Sequence, residues 1–238
     1  MSYYGFPRYE SAGEKKAKAL KALEKLKKKN PDIEPVIIEG RSIAKNWWGK
    51  AWNLNLESYA DYSNRILRGK SYVRSNTVLD LKISKGTVAA KVQGSRSKPY
   101  DVKITIEALN SKKWAQVTSL CNHRIDSLEQ LVEGKFPKEL EVLFTERKYG
   151  MFPAPKEIHF DCSCPDWASM CKHVAAVLYG IGARLDKDPM LFFELRNLDG
   201  KELIRKSMEQ RLESMLKNAG KKSKREIPKE DISDLFGL

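Results

Sequence analysis

Three of the chain's four cysteines and one of its three histidines fall in one short stretch, FDCSCPDWASMCKH, from Phe160 to His173. No other feature restricts the fold as tightly. The segment EIHFDCSC alternates, so a strand here sends Ile158, Phe160, Cys162 and Cys164 to one face and Glu157, His159, Asp161 and Ser163 to the other. Both thiols then point the same way, His159 points away from them, and Pro165 stops the strand. Cys171 and His173 precede VAAVLYGIGARL, where Val174, Val177, Leu178, Ile181 and Leu185 take the spacing of one buried helix face. In a regular helix, positions i and i+2 diverge by about 200°. Cys171 and His173 therefore reach one ion only at a helix start, with Cys171 leading in and His173 inside the first turn.

Free N–H groups and the positive end of the helix dipole favour thiolate over thiol at that place. Three thiolates and a neutral imidazole suit a closed tetrahedral site, so Cys162, Cys164, Cys171 and His173 are the expected ligands of one structural Zn2+. Such a site carries a formal charge of about −1, three thiolates against a dication, and Lys172 stands beside it to offset that charge. A histidine ligand argues against an iron–sulfur cluster, and a redox pair more typically reads C-x-x-C. A Cys162–Cys164 disulfide is disfavoured by the strain of so short a ring and by a reducing compartment. The competing account, buried thiols and a core histidine brought together by accident, needs four residues to coincide with a strand end and a helix start. Cys121-Asn122-His123 repeats the C-x-H spacing, but no thiol partner is left for it, so it reads as structural.

Charge points outward from this site. The 44 basic and 31 acidic residues leave a net charge of +13, which attracts polyanions, nucleic acid first among them, or merely keeps a protein in solution. No apolar run approaches the roughly 20 residues that span a bilayer. The start, MSYYGFPRYE, lacks an apolar segment behind basic residues. The expectation is a soluble, cytoplasmic protein, nucleoid-associated if bacterial, with no membrane partner.

Along the chain, EKKAKALKALEKLKKK carries eight lysines and two glutamates with Ala19, Leu23 and Leu26 at helical spacing, and Asn30-Pro31 ends it. Its basic face is either solvated or meets phosphate. In the stretch from Ser42 to Tyr72, Trp48 and Trp52 lie four apart, fitting two helices or one broken helix. Trp47, Trp48, Trp52, Tyr59 and Tyr62 either fill a core or form a stacking platform near Lys45, Lys50 and Arg65. VLDLKIS, TVAAKVQ and YDVKITIE alternate at period two and predict an antiparallel sheet, with a turn at Ser84-Lys85-Gly86 and a longer basic loop over 94–99.

From Ser111 to Arg147 the pattern is helical, with Trp114, Val117, Leu120 and Cys121 on one face and Leu128, Leu131 and Val132 on another. The Gly150 to Pro155 segment suggests a soft boundary. Asp188-Pro189 opens a short apolar helix, MLFFELRNL. GKELIRKSMEQRLESMLKNAG then repeats Leu203 or Ile204, Met208, Leu212 and Met215 until Gly220, covering its own core or meeting a partner. The tail turns from basic (Lys221 to Arg225) to acidic and ends in Ile232, Leu235, Phe236 and Leu238, which dock a partner or fold back.

The ligand set C-x-C, short spacer, C-x-H at the start of an apolar helix resembles the SWIM zinc finger, over about residues 155–186. WWGKAW, the sheet and LDKDPMLFFELRNLDG also look like the longer bacterial SWIM proteins that accompany Swi/Snf-type helicase-like ATPases. The resemblance implies a zinc-stabilised module that binds DNA or protein and has no catalysis of its own. The residues agree: no Walker motif, HExxH or nucleophile elbow occurs, and four protein ligands leave no open position on a zinc ion.

The fold class expected is therefore α+β. A basic helical segment (1–40) precedes an α+β domain with a small antiparallel sheet (41–150), a ββα-like finger (151–186), C-terminal helices (187–220) and a flexible tail (221–238). The expected function is non-enzymatic: nucleic-acid binding, DNA first, in aid of a separate Swi/Snf-type ATPase. The alternative is a protein-interaction adaptor. Candidate phosphate contacts are Lys172, Arg184, Arg96 and Lys98. Trp167, in the spacer between the ligand pairs, either covers the sulfurs or stacks on a base.

Overall fold

The computed structural model describes residues 10–59, 63–121, 128–135, 137–147, 150–168 and 170–218. Tyr62, Asn122, His123, Gly220, the Lys221 to Arg225 run and the four apolar tail positions Ile232, Leu235, Phe236 and Leu238 lie outside them. The chain is α+β, built around one four-stranded antiparallel sheet of order β1-β2-β3-β4. The strands are β1 (Val78–Ser84), β2 (Thr87–Val92), β3 (Tyr100–Ile106) and β4 (Ile158–Cys162). Ser84 pairs with Thr87 across the first turn, where Gly86 takes a φ of +64° that a side chain would strain. Alternation of apolar and polar residues sets the sheet's two faces: Val88, Ala90, Val102 and Ile104 are buried, while Ala89, Asp101 and Lys103 are exposed.

The helix α1 (Ala12–Lys29) begins with the capping box that its sequence encodes. The Glu14 N–H donates to Ser11 Oγ at 3.2 Å, and the Ser11 N–H donates to Glu14 Oε2 at 2.8 Å. Asn30 closes it, as expected. Two separate helices follow, α2 (Trp47–Glu57) and α3 (Ser63–Arg74). Between β3 and β4 the chain forms three short helices, α4 (Ser111–Leu120), α5 (Leu128–Glu133) and α6 (Lys138–Thr145), then a 3-10 turn over Pro155–Glu157. After β4 come α7 (Lys172–Leu185), α8 (Met190–Leu195) and α9 (Gly200–Asn218).

The expected break near residue 150 does not part the finger segment from the sheet. β4 pairs with β3 from Ile106↔Ile158 to Val102↔Cys162, so the first ligand strand is the sheet's fourth strand.

Packing centres on α7, which lies against the sheet on one side and against α2 and α3 on the other. Apart from Lys172 and Arg184, every residue of α7 is buried, so the single apolar face expected from Val174, Val177, Leu178, Ile181 and Leu185 extends all round. Small residues let the second layer approach. A Cβ at Gly69 on α3 would stand 2.4 Å from the Ala175 Cβ on α7. Of the aromatic residues weighed as core or platform, Trp48 and Trp52 belong to the core, while Trp47 and Tyr59 are partly buried against it. Trp48 and Trp52 are fully buried, their indole N–H groups donating to the Leu131 and Leu178 carbonyls at 2.7 and 2.8 Å. Asp186, just past α7, accepts from the Lys45 N–H at 2.7 Å and from the Asn46 N–H, holding the start of α2 against the end of α7.

Candidate metal centre

The ligand residues come from two elements that the local sequence forces together. Cys171 is the N-cap of α7, with extended backbone, and its Sγ accepts the Val174 N–H at 3.5 Å, the role a capping oxygen normally fills. His173 follows in the first turn and turns its Nδ1 towards Cys171 Sγ, 3.8 Å away. Cys162 is the last residue of β4. Cys164 was expected on the same strand, but β4 stops at Cys162 and the chain bends through Ser163 to Pro165. The bend is fixed by the neighbouring strand: the Ser163 N–H donates to the Asp101 carbonyl and the Asp101 N–H donates to Ser163 Oγ, both at 2.9 Å. It brings the second thiol back towards the first.

The four donor atoms all lie within 4.8 Å of one another. Bonds of about 2.3 Å to zinc place tetrahedral sulfurs about 3.8 Å apart, so small side-chain rotations close the set around one ion. Cys171 and His173 are buried, and Cys162 and Cys164 partly so. The cluster can hold a metal ion.

The three thiols perturb one another's titration. Hydrogen bonding from the Cys162 side chain, aided by His173, the Val174 N–H and Cys164, pulls the Cys171 thiol far below the ordinary thiol range in spite of burial. The bond to Cys171, then burial, pushes Cys162 up. Burial foremost raises Cys164. A divalent ion supplies the positive charge that lets all three ionise.

Non-local residues complete the site. Tyr100 at the start of β3 lies 4.5 Å from the His173 ring, centroid to centroid, and Tyr72 of α3 meets it edge-on at 5.6 Å. His173 Nε2 is buried and has no hydrogen-bond partner among the described residues. Gly94 stands beside it: a Cβ there would lie 2.8 Å from Nε2 and 2.5 Å from the Tyr100 ring. Cations lie over the rings of both tyrosines. The Lys15 and Lys172 ammonium groups lie 5.4 and 5.2 Å from the Tyr72 ring centre, and the Arg96 guanidinium 5.7 Å from that of Tyr100. Lys18 donates to the Ser95 carbonyl at 2.6 Å, tying α1 to the basic loop.

The other sequence candidates fall as follows. Arg96 and Lys98 are exposed on that loop, whose backbone is held by the buried Gln93 through the Gly94 and Arg96 carbonyls at 3.0 and 2.6 Å. Arg184 turns inward: its guanidinium donates to the Glu34 carbonyl at 2.8 Å and the Leu81 carbonyl at 3.3 Å, bracing residues 34–35 against β1. It is one guanidinium nitrogen, Nη2, that these carbonyls take, and Glu34 Oε2 lies 3.6 Å from it. Trp167 does not cover the sulfurs. It is fully exposed, at 101% of its reference surface, while Met170 of the same spacer is buried. His159 is exposed on the sheet's outer face, 3.1 Å from Glu107 Oε1. Cys121 is buried at the end of α4, apart from the cluster.

Sequence reasoning missed Gly94, Tyr72 and Tyr100. A glycine directly after a strand, where a turn is not required, signals close approach, but not to what. Among the described residues, no helix is long and apolar enough to cross a membrane.

Comparison with known proteins finds one partial likeness. Over 164 residues, 68% of this chain, the sequence is 35% identical to the Mycobacterium tuberculosis protein named "Uncharacterized protein Rv2102". The match spans 59% of that protein's length. No family model matches the chain, and no solved structure matches it.

Proposed function

We propose that this chain is a SWIM-type protein in which one structural Zn2+, held by Cys162, Cys164, Cys171 and His173, fixes a surface that binds nucleic acid through its phosphates. The observation that carries this reading is the convergence of three sulfurs and an imidazole within 4.8 Å, with the imidazole packed on two tyrosines whose rings meet Lys15, Lys172 and Arg96. Four protein donors close the coordination sphere, so the ion serves shape and not catalysis. Phosphate contacts from Lys15, Lys172, Arg96 and Lys98 position a strand but read little sequence. The protein acts in the cytoplasm on DNA, beside a separate Swi/Snf-type ATPase that supplies the energy its own sequence has no motif to supply.

Binding to labelled DNA across a range of salt concentration tests this. Affinity is expected to fall steeply with salt, and the triple variant Arg96→Glu, Lys98→Glu, Lys172→Glu to flatten the slope by about two to three units. No complex at low salt, or an unchanged slope, contradicts it.

One observation favours a second reading, the adaptor. Along the outer half of α9, Met208, Leu212, Met215 and Leu216 are each more than half exposed, a stripe that suits a protein partner. A pull-down that loses its partner on Met208→Glu, Leu212→Glu while DNA affinity stays constant supports it.

A further inference from the structure

We infer that the metal-anchored spacer presents Trp167 as a stacking surface for an unpaired base, which makes the protein selective for single-stranded over duplex nucleic acid. The inference rests on the phosphate-binding reading above and adds the substrate's form to it. A tryptophan with its whole side chain in water is costly, since its ring is the largest apolar group a residue can expose. The loop that carries it is not slack. Cys164 and Cys171 fix it at either end through the metal cluster. Between them, Asp166 pairs with Arg65 of α3 at 2.9 Å and accepts the Ala168 N–H at 3.2 Å. The backbone on either side of Trp167 is thus held, so that mainly the side chain's own torsions are left to order on binding.

The surroundings name the ligand. Asp166, the residue before Trp167, touches the Arg65 guanidinium, so α3 brings positive charge beside the loop. Arg68 is exposed one turn beyond Arg65, on the same side of α3. An exposed π-face beside the cationic side of α3 fits a polyanion that offers free π-faces close to its charges. Duplex nucleic acid offers the phosphates but keeps its bases stacked on one another. A single strand offers both, and base–aromatic stacking tolerates any sequence.

The test uses the full-length, zinc-loaded protein with labelled oligo(dT), a blunt duplex of equal length and an abasic sugar–phosphate strand. Parent protein is expected to prefer oligo(dT). Trp167→Ala should weaken oligo(dT) binding by about tenfold and leave duplex and abasic binding unchanged, while Trp167→Phe retains most of the preference. Trp167→Glu, which suits a solvent-exposed position, should lose more than Trp167→Ala. Zinc content and melting temperature equal to the parent's confirm that each variant is folded. Equal affinity of parent and Trp167→Ala for oligo(dT), or an equal loss on duplex, overturns the inference and leaves phosphate binding standing. Loss of a co-purifying protein with no change in any nucleic-acid affinity also overturns it. A parent that binds none of the three strands ends both readings.

Discussion

A single methyl group added at Gly94 would stand 2.8 Å from His173 Nε2 and 2.5 Å from the Tyr100 ring, so this position works by having no side chain. The ring of His173 cannot yield easily, since Tyr72 and Tyr100 hold it. Gly94→Ala is therefore expected to tilt the imidazole away from the sulfurs and weaken metal binding by about 10- to 100-fold, the range found when a ligand's supporting residues are changed. Competition with a chromogenic chelator measures it. Far from the metal, Arg196 is 1% exposed and donates to Glu157 Oε1 at 2.9 Å and to the Glu107 carbonyl at 2.7 Å. Burial alone would raise the Glu157 carboxyl, but the Ala154 N–H and Arg196 outweigh it and hold its pKa below the ordinary value. A depressed carboxyl stabilises the fold at neutral pH and loses that contribution as pH falls through the folded-state pKa. Glu157→Gln should cost about 3 kcal/mol at neutral pH by stranding a buried guanidinium. In urea unfolding, the gap between parent and variant is expected to narrow in acid.

At the scale of elements, α7 does two tasks: its first turn supplies half the ligand set, and the rest of it is the core. Gly69→Val tests the second task alone. With a Cβ 2.4 Å from Ala175, α3 must move off α7, and a loss of about 2 kcal/mol or more is expected by chemical denaturation, with the metal stoichiometry unchanged. The ligands were legible in the sequence because each pair is local: C-x-C at a strand end and C-x-H at a helix start need only strand and helix periodicity. The alternation of β2 and β3 was legible for the same reason, whereas the first four residues of β1, expected to alternate, are all buried where its pairing with β2 shifts register. What the sequence hid is non-local. Periodicity predicted one buried face for α7, yet whether a second layer covers the other depends on where α2 and α3 dock. It predicted Cys164 on the strand, yet Asp101 of the adjacent strand decides where β4 bends. Trp167 looked like a cover for the sulfurs by proximity, but the direction of a loop is set by anchors such as Arg65, far away in sequence.

For the whole molecule, the metal cluster stands where the sheet, the central helix and the cationic loop meet. An ion held there would join the end of β4 to the start of α7, and Tyr72 and Tyr100 connect His173 to Lys15, Lys172 and Arg96. Removing the metal should therefore alter the basic surface as well as the core. After dialysis against chelator, DNA affinity is expected to fall together with the melting temperature, and both should return when zinc is restored. X-ray absorption at the zinc edge of the purified full-length protein tests the central claim most directly. One zinc per chain is expected, with three sulfur ligands at about 2.3 Å and one nitrogen at about 2.0–2.1 Å. Absence of stoichiometric zinc, or a sphere with oxygen in place of a sulfur, would contradict it.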